Sequence, residues 1–303
     1  MRNSIINKIV EIAEKDSNLF LICGDAGYGV LDEFQARFPD RFLNLGIAEQ
    51  NTIGFAAGLG LVGYNVFVYN ISPFVLYRCY EQVRNDICYQ RVPVTLIGIG
   101  SGVTYSPGGV THYAVEDITI AKTLPNLTIL SPSDPIEALK SVEYAHKSKD
   151  PVYIRIAKSG EPIIQDNGNA DITQPNLIRN GKEVAILFHG SISDEVIEAV
   201  ERLDSDVAVI SIPMIHPLNF DALENCLGNV HTLITVEEHF VQGGLGSIIS
   251  DWIVEEKLQY RVTKLGIKNE FIHSIKNASG MRKLYGISSE NICKTINEAL
   301  SYA

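Results

Sequence analysis

Leu45-Gly46-Ile47-Ala48-Glu49-Gln50-Asn51-Thr52-Ile53-Gly54-Phe55-Ala56-Ala57-Gly58-Leu59-Gly60 reads as a helix of small and apolar residues with a single acid, Glu49, in its first turn. Such a helix is too apolar to face water on all sides. A carboxylate at its start is favoured by the helix dipole. The flanks Ile47, Ala48, Ile53, Phe55, Ala56 and Ala57 predict a dry setting, which favours the protonated form instead. A buried acid needs a partner or a chemical task. Spacing alone leaves open a purely structural acid bonded to backbone amides.

Outward from this helix the chain alternates strands and helices. Residues 3–15 are apolar at helical spacing, and 19–23 form a short apolar run ending at Gly24-Asp25. Strands follow over 65–69, 92–98 and 151–155, with one helix predicted to open at Ile71-Ser72-Pro73-Phe74 and run through Asn85. Between 160 and 182 the texture turns polar, rich in Gly, Pro, Asn and Asp. A second series then begins, with strands over 184–188, 207–210 and 232–236. The expected fold class is α/β: two doubly wound domains, residues 1–160 and 183–303, joined by a linker at 161–182. Gly58-Leu59-Gly60-Leu61-Val62-Gly63 matches GxGxxG, but it ends a helix, whereas a dinucleotide fingerprint follows a strand and opens a helix. These glycines are read as close-packing and C-cap residues.

Composition narrows the function classes. A net charge of −11 disfavours nucleic acid and anionic membranes as partners. No basic segment precedes an apolar one at the start and no apolar run is long enough to span a bilayer, so a cytoplasmic protein is expected. The five cysteines are scattered without a CxxC pair, as expected for reduced structural thiols.

Gly46-Ile47-Ala48-Glu49-Gln50-Asn51 followed by Gly54-Phe55-Ala56-Ala57-Gly58-Leu59 resembles the pyrimidine-binding signature of transketolases and their thiamine-diphosphate relatives. The resemblance implies that Glu49 bonds a ring nitrogen of the cofactor's aminopyrimidine and helps generate the nucleophilic ylide. That task calls for a proton-sharing acid in a low-dielectric pocket. Arg78-Cys79-Tyr80-Glu81-Gln82-Val83-Arg84-Asn85 resembles a helix of the same family that is preceded by a stacking aromatic; Phe74 is the first choice for that role and Tyr77 the second. Asp25, at a strand end, and Ile47 are placed against the cofactor by the same resemblance. Asp25 is equally suited to capping the next turn, and Phe74 and Tyr77 to ordinary packing.

The loop 105–118 resembles the family segment whose histidine touches substrate oxygens, which makes His112 a catalytic and substrate-binding candidate. Arg155 matches a position near the phosphate of sugar-phosphate substrates, and a surface arginine is the plain alternative. The chain departs from the family pattern at Ile71, where a second Phe is usual, at Gly108, where ketose-using members carry Asp, and at Val110, where Pro is usual. Thr235-Val236-Glu237-Glu238-His239 with Gly243-Gly244-Leu245-Gly246-Ser247 resembles the C-terminal domain shared with 2-oxo-acid dehydrogenase beta subunits. Its glycines suit either an anion at a helix N-terminus or close packing.

A complete transketolase carries a further domain that grips the diphosphate through a divalent metal. No GDG…N motif or P-loop supplies it here. The resemblance therefore implies a C-terminal subunit, holding no metal itself. It would bind thiamine diphosphate at an interface with a separate N-terminal subunit that holds Mg, in a dimer of heterodimers acting on small sugars. The expected reaction is transfer of a two-carbon ketol unit from a ketose, or ketose phosphate, to an aldose. The alternatives are a beta subunit of a 2-oxo-acid or acetoin dehydrogenase and a non-catalytic assembly subunit.

Overall fold

The computed structural model describes residues 1–158, 160–164, 170–203 and 206–301. Residues 165–169 of the expected linker and 302–303 of the expected second domain lie outside the described residues. The strands in chain order are β1 (Leu19–Cys23), β2 (Phe42–Asn44), β3 (Asn65–Ile71), β4 (Val94–Ile99), β5 (Thr128–Leu130), β6 (Val152–Ile156), β7 (Asn176–Arg179), β8 (Val184–Phe188), β9 (Val207–Ser211), β10 (Met214–His216), β11 (Thr232–Phe240) and β12 (Arg261–Ile267). They form two sheets with flanking helices, in the orders β10-β5-β6-β4-β3-β1-β2 and β12-β11-β8-β9-β7. Pairing is parallel except at β10 with β5 and β7 with β9. β4, β6, β8 and β9 are buried along their whole length, as parallel strands covered on both faces must be.

On one face of the first sheet the Arg2–Ala13 helix, through Ile5, Ile9 and Val10, meets Ala138 and Val142 of the Pro135–Lys147 helix. On the other lies the Glu49–Leu61 helix, with Ile53, Ala56 and Ala57 turned inward. Gly60 lets this helix seat: a Cβ there would lie 2.3 Å from Val92 Cγ1. The helix starts at Glu49 rather than at Leu45, with Ala48 as its N-cap. In consequence Ile47 sits in the preceding loop, 78% exposed, and Phe55 faces outward with Gly54, Gly58, Leu61 and Val62. The expectation of a dry flank at Ile47 and Phe55 is corrected accordingly.

Two elements differ from the sequence reading. The expected continuous helix after Ser72 is broken into a π turn at Pro73–Tyr77, a short α turn at Tyr80–Gln82 and a second π turn at Val83–Cys88. Such turns recur at functional sites. Residues 176–179, inside the expected linker, are the edge strand of the second sheet, and β10, from the second half, completes the edge of the first.

The order in which strands are added across the sheet reverses between the parallel neighbours β1, which leads to β2 on one side, and β3, which leads to β4 on the other. In open α/β sheets ligands bind in the crevice at the carboxyl ends of such strands. Asp25, the loop 45–48 ahead of Glu49, Phe74 and the His112 loop all leave this edge of the sheet, after β1, β2, β3 and β4 respectively. The corresponding crevice of the second sheet, between β8 and β11, is filled by the first half. Ser131 and His189 Nδ1 are 2.8 Å apart. Leu245 and Gly246 amides, at the start of the Leu245–Glu255 helix, donate to Glu237 at 2.8 and 2.9 Å, so the anion at that helix N-terminus is the protein's own.

Candidate active site

Glu49 is buried to 7% exposure, and its Oε1 accepts a hydrogen bond of 2.5 Å from Arg78 Nη1. Arg78 is exposed on its other side, and its guanidinium carbon lies 4.5 Å from the centroid of the Phe74 ring. Phe74 in turn meets the His112 ring edge to face, at 5.5 Å and 69°. Three candidates from distant parts of the sequence thus form one chain of contacts: Arg78 joins Glu49 to Phe74, and Phe74 meets His112. The π turn carries Phe74 to this place, and Gln50 Nε2 reaches the Arg78 carbonyl at 3.4 Å, holding the backbone beside the Glu49 helix.

His112 is half-buried, with Nδ1 2.7 Å from Thr111 Oγ1. Its ring rests on Gly108, where an added Cβ would come within 2.8 Å of His112 Cγ. The departure from Asp to Gly at this position therefore has a steric counterpart: the ring occupies the space a side chain would need.

Asp25 is exposed at the end of β1 in a left-handed conformation, φ 51°. Its carboxylate accepts from the Tyr28 hydroxyl at 2.5 Å. Asn44 Oδ1 accepts from both the Asp25 and the Gly46 amides, each at 2.9 Å, and so ties the Asp25 turn to the loop that carries Ile47. Asn44 and Arg78 were not singled out by sequence reasoning. A polar residue closing a strand directly before the Glu49 motif is the signal that points to Asn44. Tyr77 turns its hydroxyl to Glu116 Oε2 at 3.1 Å, and burial holds its phenol well above the ordinary range. Phe74, not Tyr77, is the aromatic against the Glu49–Arg78 pair.

The expectation for Arg155 is corrected. Its side chain is 2% exposed and donates to both Asp117 oxygens, at 2.7 and 3.1 Å, and to the carbonyls of Ala114 and Glu238, each at 3.4 Å. It joins the two halves and offers no donor to a bound sugar. The basic group that this strand end presents to solvent is Lys158, 5.8 Å from the Tyr105 ring. Among the described residues no group of three or more His, Cys, Asp or Glu side chains is arranged to hold a metal, and no helix is long and apolar enough to cross a membrane.

Comparison with known families places the chain as a whole. Residues 1–161 match the transketolase pyrimidine binding domain and residues 174–292 the transketolase C-terminal domain. The chain belongs to the transketolase family. Among its transketolase relatives, a subunit of the apulose-4-phosphate transketolase of Actinobacillus succinogenes is 31% identical over 297 residues, covering 96% of each chain. A putative transketolase C-terminal section of Methanocaldococcus jannaschii is 30% identical, covering 99% of this chain and 96% of the relative. A solved structure described as a split gene transketolase, inactive beta4 tetramer, superposes with a TM-score of 0.89 at 28% identity over 99% of this chain and 98% of that one. The transketolase fold accounts for both sheets, and the family is one of thiamine-diphosphate-dependent transferases.

Proposed function

We propose that this chain is the C-terminal subunit of a two-subunit transketolase, which transfers a two-carbon ketol unit from a ketose or ketose phosphate to an aldose when joined to a separate N-terminal subunit. The observation that carries the reading is the alignment of Glu49, Phe74 and His112 at the switch point of the first sheet. The residues fit the pyrimidine half of thiamine diphosphate. A single flat group bearing N–H donors, the Arg78 guanidinium, touches the face of Phe74 and Glu49 Oε1 together, so both surfaces are within reach of one small planar heterocycle. Thiamine diphosphate, when bound, supplies the carbon nucleophile of this chemistry. Glu49 holds or shares a proton at the ring nitrogen of the pyrimidine, Phe74 offers the ring face, and His112, beside Phe74, orients substrate oxygens and moves a proton to them. In this reading Asp25 and Ile47 border the same crevice, a placement supported by Asn44, which ties the Asp25 turn to the loop that carries Ile47.

The diphosphate and its Mg belong, in this reading, to the N-terminal subunit, and two such pairs form a dimer of heterodimers. An exposed helix face supports a partner at this place. Gly54, Phe55, Gly58, Leu61 and Val62 of the Glu49–Leu61 helix face outward, with Ile47 and Val110 exposed nearby in sequence to Glu49 and His112. Relatives of the same extent, one named as a transketolase subunit and one as a C-terminal section, support the division into two chains.

The test is to purify the chain with its N-terminal partner and assay ketose donors alongside pyruvate. Glycolaldehyde transfer is the expected outcome. Carbon dioxide release would assign the chain to 2-oxo-acid chemistry, and inactivity with every donor to an assembly role. In the active pair Glu49→Ala should lower turnover by at least about a hundredfold with assembly intact.

A further inference from the structure

Arg78 makes two contacts at once. Its Nη1 donates to the buried Glu49 carboxylate at 2.5 Å, and its guanidinium lies 4.5 Å from the centre of the Phe74 ring. These are the carboxyl group and the aromatic face that an aminopyrimidine would use under the reading given above, on which this inference rests. One ring face and one carboxylate oxygen cannot serve two flat groups together. We propose that Arg78 is the resident occupant of the pyrimidine seat and that thiamine diphosphate enters by displacing its side chain.

The local structure allows that movement. The Arg78 side chain is 46% exposed, so one side of it already faces solvent. It leaves the main chain between two π turns, next to Cys79, whose φ of −108° breaks the helix. Gln50 holds the Arg78 carbonyl, so the side chain can swing while the backbone stays. The contacts surrendered are a partly exposed ion pair and a cation–π contact, each of modest strength.

Displacement also bears on Glu49. Arg78 Nη1 already occupies Glu49 Oε1. An acid that is to share a proton with a ring nitrogen cannot stay clamped by Arg78. Opening of the seat and release of Glu49 for proton sharing are therefore one event, driven by the entering ring.

The test uses the chain assembled with its N-terminal partner and follows thiamine diphosphate binding, in the presence of Mg, by calorimetry rather than by turnover. Arg78→Ala and Arg78→Met are expected to tighten binding by about tenfold, the scale of the two contacts no longer broken. Glu49→Gln is expected to weaken it. If the Arg78 variants bind no more tightly than wild type while Glu49→Gln binds less well, displacement is overturned and the cofactor reading stands. If Glu49→Gln has no effect, or the wild-type pair binds no cofactor, the cofactor reading falls and displacement with it. A crystal structure of the loaded pair provides a second readout: the guanidinium should have left the Phe74 face, and finding it still there overturns the inference.

Discussion

Asp117 and Arg155 meet through two hydrogen bonds, Nε to Oδ2 at 2.7 Å and Nη2 to Oδ1 at 3.1 Å, in a wholly buried seam between the two halves of the chain. Tyr153 adds a third bond to Asp117 at 2.8 Å. Burial alone would push Asp117 up, but Arg155, His239 and these hydrogen bonds outweigh it and hold the carboxyl below its ordinary range. Removing one member leaves the other charge buried without compensation. Asp117→Asn is therefore expected to destabilise the fold by about 3–5 kcal/mol in denaturant unfolding. The double change Asp117→Leu with Arg155→Met should recover much of that loss, because a buried ion pair contributes little beyond a well-packed apolar pair. Equal losses in the single and double variants would contradict this account.

The same seam makes stability depend on pH. His189 is fully buried, and burial pulls it below its ordinary 6.5 despite the Glu237 carboxylate 3.6 Å away. As pH falls through 6.5, the unfolded chain takes up a proton that the folded chain refuses, so stability drops by up to about 1.4 kcal/mol per pH unit for this group. His216, lowered by burial and by Lys122, acts in the same direction. Glu137, raised above 4.5 by burial, acts in the opposite one. Asp117, with its lowered value, adds a separate loss only when pH falls through and below the ordinary carboxylate range. Denaturation midpoints at pH 7, 6 and 5.5 should fall for wild type and fall less for His189→Gln. Parallel curves would remove His189 from the explanation.

Gly58 points outward, and an added Cβ there would meet nothing within 4 Å. In the free chain Gly58→Leu should leave stability unchanged or raise it by about 1 kcal/mol, since glycine is a poor helix former. If the outer face of the Glu49–Leu61 helix seats a partner, the same change should abolish association, read by sedimentation of the mixed subunits. Normal assembly would move the interface elsewhere.

His112 rests on Gly108, so Gly108→Ala forces the ring to shift. The position is exposed, and a stability change within about 0.5 kcal/mol is expected. Turnover in the assembled pair should nevertheless fall, with cofactor affinity unchanged. Unaltered turnover would show that the orientation of this imidazole is not set by Gly108.

The strand–helix alternation was legible because buried parallel strands and amphipathic helices leave different periods in a sequence, as at Val94–Ile99 and Arg2–Ala13. Motifs singled out Glu49, Phe74 and His112 as candidates, and the fold joins them in one chain of contacts that includes Arg78. Other features leave no local trace. Met214–His216 is three residues long, and its partner β5 lies in the other half of the chain. The π turns at Pro73–Tyr77 and Val83–Cys88 share the apolar spacing of an ordinary helix over that range. Arg155 sits in an otherwise apolar strand, and the partner that permits its burial is 38 residues away, in a Glu-Asp pair that reads equally well as a helix cap.

The loan of Met214–His216 to the first sheet limits where a gene for this protein could be cut. Severing the chain anywhere from residue 160 to 182 would strip the leading fragment of its outermost strand and bare the hydrogen-bonding edge of Thr128–Leu130 to any neighbouring peptide, a recipe for clumping. The trailing fragment would keep an orphaned tripeptide with nothing to zip onto. Evolution can detach these modules as one cassette far more safely than it can divide them from each other.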